Sequence, residues 1–147
     1  MTDHTDYLIL GAGINGMLTA RFLEQAGARV TVIDKGEPGR ESSWAGGGIV
    51  SPLYPWRYSS AVTALSTWAQ EFYPQLAGEL LAETGIDVEC RQSGLLMLDA
   101  ADRQQALQWA TANGRLMEQR DQDGIRSLAP ALAVGFSHGL WMPHIAN

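Results

Sequence analysis

The sequence predicts an α/β fold: a parallel β-α-β start that continues into the beginning of an antiparallel α+β layer. Three observations predict it. Residues Asp6 to Asp34 read as strand, glycine-rich turn, helix and strand. A Gly-, Pro- and Ser-rich stretch then leads into one long helical pattern. Beyond Gly85 the chain turns to short extended runs instead of repeating strand and helix.

Tyr7 to Leu10 is a short apolar run that feeds directly into Gly11-Ala12-Gly13-Ile14-Asn15-Gly16. Ile14, Leu18 and Phe22 then recur every four residues, and Met17 and Leu23 widen that stripe, as a helix requires. Gly27 stops the helix, Val30, Val32 and Ile33 form a second apolar run, and Asp34 closes it. Together these make a Rossmann-like unit with the G-x-G-x-x-G fingerprint in its first turn. Gly11 allows the tight turn, Gly13 admits a pyrophosphate close to the backbone, and Gly16 lets the helix approach the sheet. Ala12, Ile14 and Asn15 complete the turn, whose N–H groups and partial positive charge suit phosphate. Asp34 stands eighteen residues beyond Gly16, where an acceptor for ribose hydroxyls is needed. A generic parallel α/β unit is the plainer alternative, and it has no use for all three glycines.

Residues 35–48 are loop chemistry. Lys35, Arg40, Ser42 and Ser43 are candidates to serve an anion. Ala45, Gly46, Gly47 and Gly48 form a side-chain-poor surface on which a flat ligand can lie. Standing alone the stretch would read as a flexible connector; directly after Asp34 a ligand role is favoured. Residues 49–58, aromatic and carrying Pro52 and Pro55, read as an ordered extended segment lying over a ring or over core.

From Ser60 to about Glu83 the pattern is helical, with Leu65, Trp68, Phe72, Leu76 and Leu80 on one face. That stripe reads as core, and Pro74 should kink or split the helix. Gly85 ends it. Val88 to Arg91 and Leu95 to Leu98, joined by Gln92-Ser93-Gly94, predict a β-hairpin. A helix over about 101–112, a short helix over about 122–128 and a strand over 138–142, a candidate to pair with the hairpin, complete the reading. Residues 1–84 are therefore expected to be the nucleotide-binding part with its following helix, and 85–147 the start of an antiparallel domain.

Composition bounds the function. A chain of 147 residues, 46% apolar and 18% charged, can bury a core. A net charge of −6 offers no basic footprint for nucleic acid. No apolar run approaches the roughly 18 residues of a membrane span, and residues 1–6 leave no room for a signal peptide. Cys90 is the single cysteine, so an internal disulfide is impossible and the cytoplasm is the default expectation. His4, His138 and His144 lack metal-ligand spacing, so no metal site is expected. No G-x-S-x-G elbow or acid/base pair is present, which leaves the catalytic residues unassigned and fits chemistry carried by a cofactor. The sequence stops just after an apparent strand, which reads as a fragment of a longer protein. Truncation would leave apolar strands bare and favour homo-oligomers or strand swapping.

The run DYLILGAGINGMLTARFLEQAGARVTVID, followed by GRESSWAGGGIVSP, resembles the N-terminus of the D-amino-acid oxidase-type FAD-dependent oxidoreductases, and most of all their glycine oxidase branch. The resemblance implies that Gly11, Gly13 and Gly16 hold the FAD pyrophosphate and that Asp34 binds the adenosine ribose. It places Ser42, Ser43, Ala45, Gly46, Gly47 and Gly48 against the phosphates and the flavin ring. Ser93-Gly94-Leu95-Leu96 resembles a strand of the family's substrate domain. Leu128-Ala129-Pro130-Ala131-Leu132 resembles its Glu-Pro-x-Leu element, with alanine in place of the acid. The resemblance covers the whole chain but only the front portion of the family, so the family's carboxylate-binding residues have no positions here. The implied reaction is oxidation of a small amine or amino acid to its imine, with hydride passing to flavin N5. Three other readings stay open: a nicotinamide-dependent dehydrogenase domain, a flavin dehydrogenase or tRNA-modification oxidase module, and a non-catalytic nucleotide-binding fragment.

Overall fold

Strand, tight turn and amphipathic helix convert the front of the chain into one parallel pair. In a computed structural model, residues 4–132 and 135–147 are described. The chain forms two compact units, Met1–Gly47 and Gly48–Asn147. The first holds β1 (Tyr7–Leu10), α1 (Ile14–Gln25) and β2 (Val30–Ile33). β1 and β2 pair in parallel from Tyr7↔Val30 to Leu10↔Ile33. The pairing is pinned at its start, where Arg29 donates its amide hydrogen to Asp6 Oδ2 at 2.8 Å. It is extended at its end, where Gly11 N donates to the Ile33 carbonyl at 2.7 Å.

The helix returns tightly onto the turn it leaves. A Cβ on Gly16 would lie 1.9 Å from the Gly11 carbonyl oxygen, so only glycine permits that approach. Tyr7, Leu8, Leu10 and Ile33 are all exposed, Leu10 at 78%. The apolar strand surface of this unit is therefore bare.

The second unit contains a 3₁₀ turn (Pro55–Arg57), α2 (Ser60–Thr84), β3 (Leu95–Leu98), α3 (Arg103–Ala112), β4 (Glu118–Asp121), α4 (Gln122–Leu128) and β5 (His138–Met142). Its sheet has the order β3-β5-β4, antiparallel throughout, with Leu95 opposite Met142 and Glu118 opposite Trp141. The core gathers Trp56, Met97, Ala106, Ala110, Leu140 and Met142. Small alanines on α3 let the helix lie close to the sheet. Asp121 ends β4 and caps α4, accepting the Gly124 amide hydrogen at 2.9 Å.

Three expectations need correction, and one strand carried no signal in the sequence. The hairpin does not form: residues 88–91 are not a strand, and β3 pairs with β5 instead. Backbone bonds from Arg91 and Gly94 go to Asn147 and Ile145, so long-range partners outcompete the local turn. Of the kink or split expected at Pro74, the split does not occur: the residue stands inside an unbroken helix. One i→i−4 bond is lost there, and the flanking turns hold. The stripe on α2 is not all core, since Leu76 is buried while Leu65 and Trp68 are 68% and 58% exposed. β4 went unread because Glu118-Gln119-Arg120-Asp121 carries no apolar residue. It is an edge strand on which Glu118 and Arg120, two apart, form an ion pair on one face. By packing, α2 belongs to the second compact unit. Among the described residues, no helix is long and apolar enough to cross a membrane.

Candidate dinucleotide-binding site

The site is built where β1 ends, α1 begins and β2 ends. The Asp34 carboxylate joins these pieces: Oδ2 accepts the Ala12 amide hydrogen at 2.6 Å and Oδ1 accepts that of Gly36 at 2.9 Å. Those two bonds, Ala12 first, hold the Asp34 carboxyl below its usual range. The acid is therefore ionised at neutral pH, half-buried, with lone pairs left for a further donor.

Gly13 precedes α1 in an extended conformation and provides no side-chain cap. Ser43 supplies the contact instead: its Oγ accepts the Ile14 amide hydrogen at 2.8 Å. A Cβ on Gly13 would stand 3.2 Å from that hydroxyl, so glycine gives Ser43 its place at the helix mouth. The hydroxyl hydrogen remains available to a ligand. The N–H groups of Asn15 and Gly16 have no protein acceptor among the described residues. Two free amides, a hydroxyl and the positive end of a 12-residue helix form an anion cradle. Gly39 N donates to the Ala12 carbonyl at 2.8 Å, tying the following loop to the same turn.

Beside Asp34 lies an open depression of ≈ 420 Å³ walled by Leu10, Gly11, Ile33, Lys35 and Glu41. Its apolar and acidic walls suit a nucleoside, whose base takes the former and whose ribose hydroxyls donate to the latter. The residues present thus fit a dinucleotide: hydrogen-bond donors for phosphate at α1, a ribose acceptor at β2 and an apolar floor between.

The other candidates separate. Lys35 is held by Glu41 at 2.7 Å, which raises its pKa. Arg40 pairs with Glu37 at 3.1 Å and lies over the Trp44 ring at 4.1 Å. Both cations are thus engaged by protein groups. Ser42, Ala45, Gly46 and Gly47 are exposed along the loop of the first unit. Gly48 opens the second unit and lines a mostly apolar cavity of ≈ 320 Å³, with Ile49 to Pro52 on one side and Ser66, Ala69 and Tyr73 of α2 on the other. Glu41 and Trp44 were not read as site residues. The signals were present: an acid six residues from Lys35, and one large ring among small residues.

The family described as FAD dependent oxidoreductase (DAO) matches residues 6–147. A glycine oxidase of Pseudomonas aeruginosa is 51% identical over 140 residues, which cover 95% of this chain and 38% of that protein. One from Pseudomonas putida is 50% identical over the same shares. The crystal structure of glycine oxidase from Bacillus cereus superposes with a TM-score of 0.88 at 22% identity, over 98% of this chain and 40% of that one. The chain thus spans about two-fifths of the length of the relatives it matches.

Proposed function

The chain belongs to the FAD dependent oxidoreductase family, and from that premise we propose that its protein oxidises a small amine or amino acid, as a glycine oxidase does. The nicotinamide-dependent reading gives way to that membership. The supporting observation is the joint arrangement of Asp34, Ala12 and Ser43 around the start of α1. The Asn15 and Gly16 amides and the Ser43 hydroxyl would hold the FAD pyrophosphate, and Asp34 would take the ribose hydroxyls. Residues Ala45 to Gly48 would lie against the flavin, where the lack of side chains permits close approach. Bound FAD would supply hydride acceptance at N5, converting the substrate amine to its imine.

The chain's own residues orient and shield. The glycine run admits a planar ring, and the apolar cavity lined by Gly48 to Pro52 and α2 would exclude water from a bound amine. On this reading residues 1–84 serve the cofactor, and 85–147 begin the substrate domain. The test is an absorption spectrum of the purified chain before and after FAD, with amine-dependent acceptor reduction measured on the full-length protein. Retained flavin bands and turnover support the proposal. Full-length protein that takes up no flavin would sink it.

A further inference from the structure

Asp102 occupies the N-cap position of α3, yet its side chain makes no capping bond. A cap aspartate ordinarily bonds the N2 or N3 amide of its own helix. Here the carboxylate is spent elsewhere. Oδ2 accepts the Trp56 indole N–H at 2.7 Å, and Arg57 donates to both oxygens, at 2.8 and 2.9 Å. Arg57 also lies over the Tyr54 ring at 4.2 Å, and Tyr54 meets Trp56 edge-on at 5.6 Å. Trp56 is 5% exposed and belongs to the core. One carboxylate thus holds Trp56 and Arg57 directly and Tyr54 through them. At the other end of the same segment, Val50 N donates to the Ala146 carbonyl at 2.9 Å.

Between those two anchors run Ser51, Pro52 and Leu53, and Ile49 to Pro52 form one wall of the apolar cavity that Gly48 also lines. A helix cap given up for a bidentate pair is explained by what that pair holds. We propose that Asp102 is a positioning residue: through Trp56 and Arg57 it sets the path of residues 49–54 and thereby the fit of the amine substrate against that wall. This rests on the functional reading above.

The test uses the full-length protein, with glycine, N-methylglycine and D-alanine as probe amines. Asp102→Asn keeps the side chain's size and an acceptor for Trp56 but weakens the hold on Arg57. Arg57→Gln leaves Asp102 and the core untouched and serves as the second variant. Each should raise KM by about tenfold while kcat and FAD content stay within about twofold, the pattern of lost ground-state fit. Amide hydrogen exchange should quicken in peptides covering residues 48–58 and not in β3 or β5. An active wild type with unchanged KM in both variants, or exchange that quickens across the whole sheet, overturns the positioning role alone. A flavin-loaded wild type that oxidises none of the three amines overturns the functional reading, and this inference with it.

Discussion

The Asp34 carboxylate accepts the amide hydrogen of Ala12 at 2.6 Å, across 22 residues of sequence. The acid proposed to hold the ribose therefore also holds the glycine turn, and the two roles can be separated by substitution. Asp34→Asn keeps an acceptor for Ala12 but loses the charge; Asp34→Ala loses both. FAD retention should fall in both variants and further in Asp34→Ala, read by flavin absorbance after gel filtration. Equal retention in wild type and both variants would remove Asp34 from the site.

The turn itself makes a contrast between two glycines. At Gly16 an added Cβ would meet the Gly11 carbonyl oxygen at 1.9 Å, whereas at Gly78, inside α2, it would meet nothing within 4 Å. Gly16→Ala must displace backbone, and overpacking of that kind costs roughly 1–3 kcal/mol. Gly78→Ala should stabilise by about 0.5–1 kcal/mol, since glycine loses more backbone freedom in a helix. Urea unfolding of the two variants beside wild type checks both signs. Stabilisation by Gly16→Ala would mean that α1 does not sit as close to the turn as described.

The Trp141 ring covers Gly94, where an added Cβ would lie 1.9 Å from the indole and where φ is +80°. Gly94→Ala therefore meets a steric and a conformational cost together, about 1–3 kcal/mol from each. Trp141→Leu should relieve the steric part, so the double variant should be less unstable than the sum of the singles. Thermal unfolding of the four proteins closes the cycle. Strict additivity would show that the ring does not press on residue 94.

Much of this was legible in the sequence, and the reason is physical. Gly11 to Asp34 could be read because each residue answers a local demand: a tight turn, a close approach, a helix start, an acceptor. The strand from His138 to Met142 was legible as an apolar run. Its pairing with the run at 95–98 was expected too, and β3 does lie beside it. Its second partner, β4, was not legible, because a strand of four polar residues is placed by long-range packing and carries no periodic apolar signal. Lys35 and Arg40 look from composition like free cations for phosphate. Their ion pairs with Glu41 and Glu37 depend on how the loop folds back, which no periodicity encodes. Asp102 carries no signal in the sequence for the same reason: its partners Trp56 and Arg57 lie 46 and 45 residues away.

That last case yields a pH prediction. The Asp102 carboxyl is held far below the usual carboxylate range, first by the Arg57 guanidinium and then by the Trp56 indole. Its folded pKa is depressed, so the folded state binds this proton less readily than the unfolded chain. The stability it contributes is fully present above the unfolded value of about 3.9 and is lost as pH falls toward the folded one. The melting-temperature gap between wild type and Asp102→Asn should therefore be constant from about pH 7 to pH 5 and narrow below about pH 4. Asp34 titrates in the same direction, so the comparison is made in wild type and Asp102→Asn, both of which keep Asp34. A gap that stays constant down to about pH 2 would mean that Arg57 and Trp56 bind the neutral carboxyl as well as the ionised one, and the clamp would not be electrostatic.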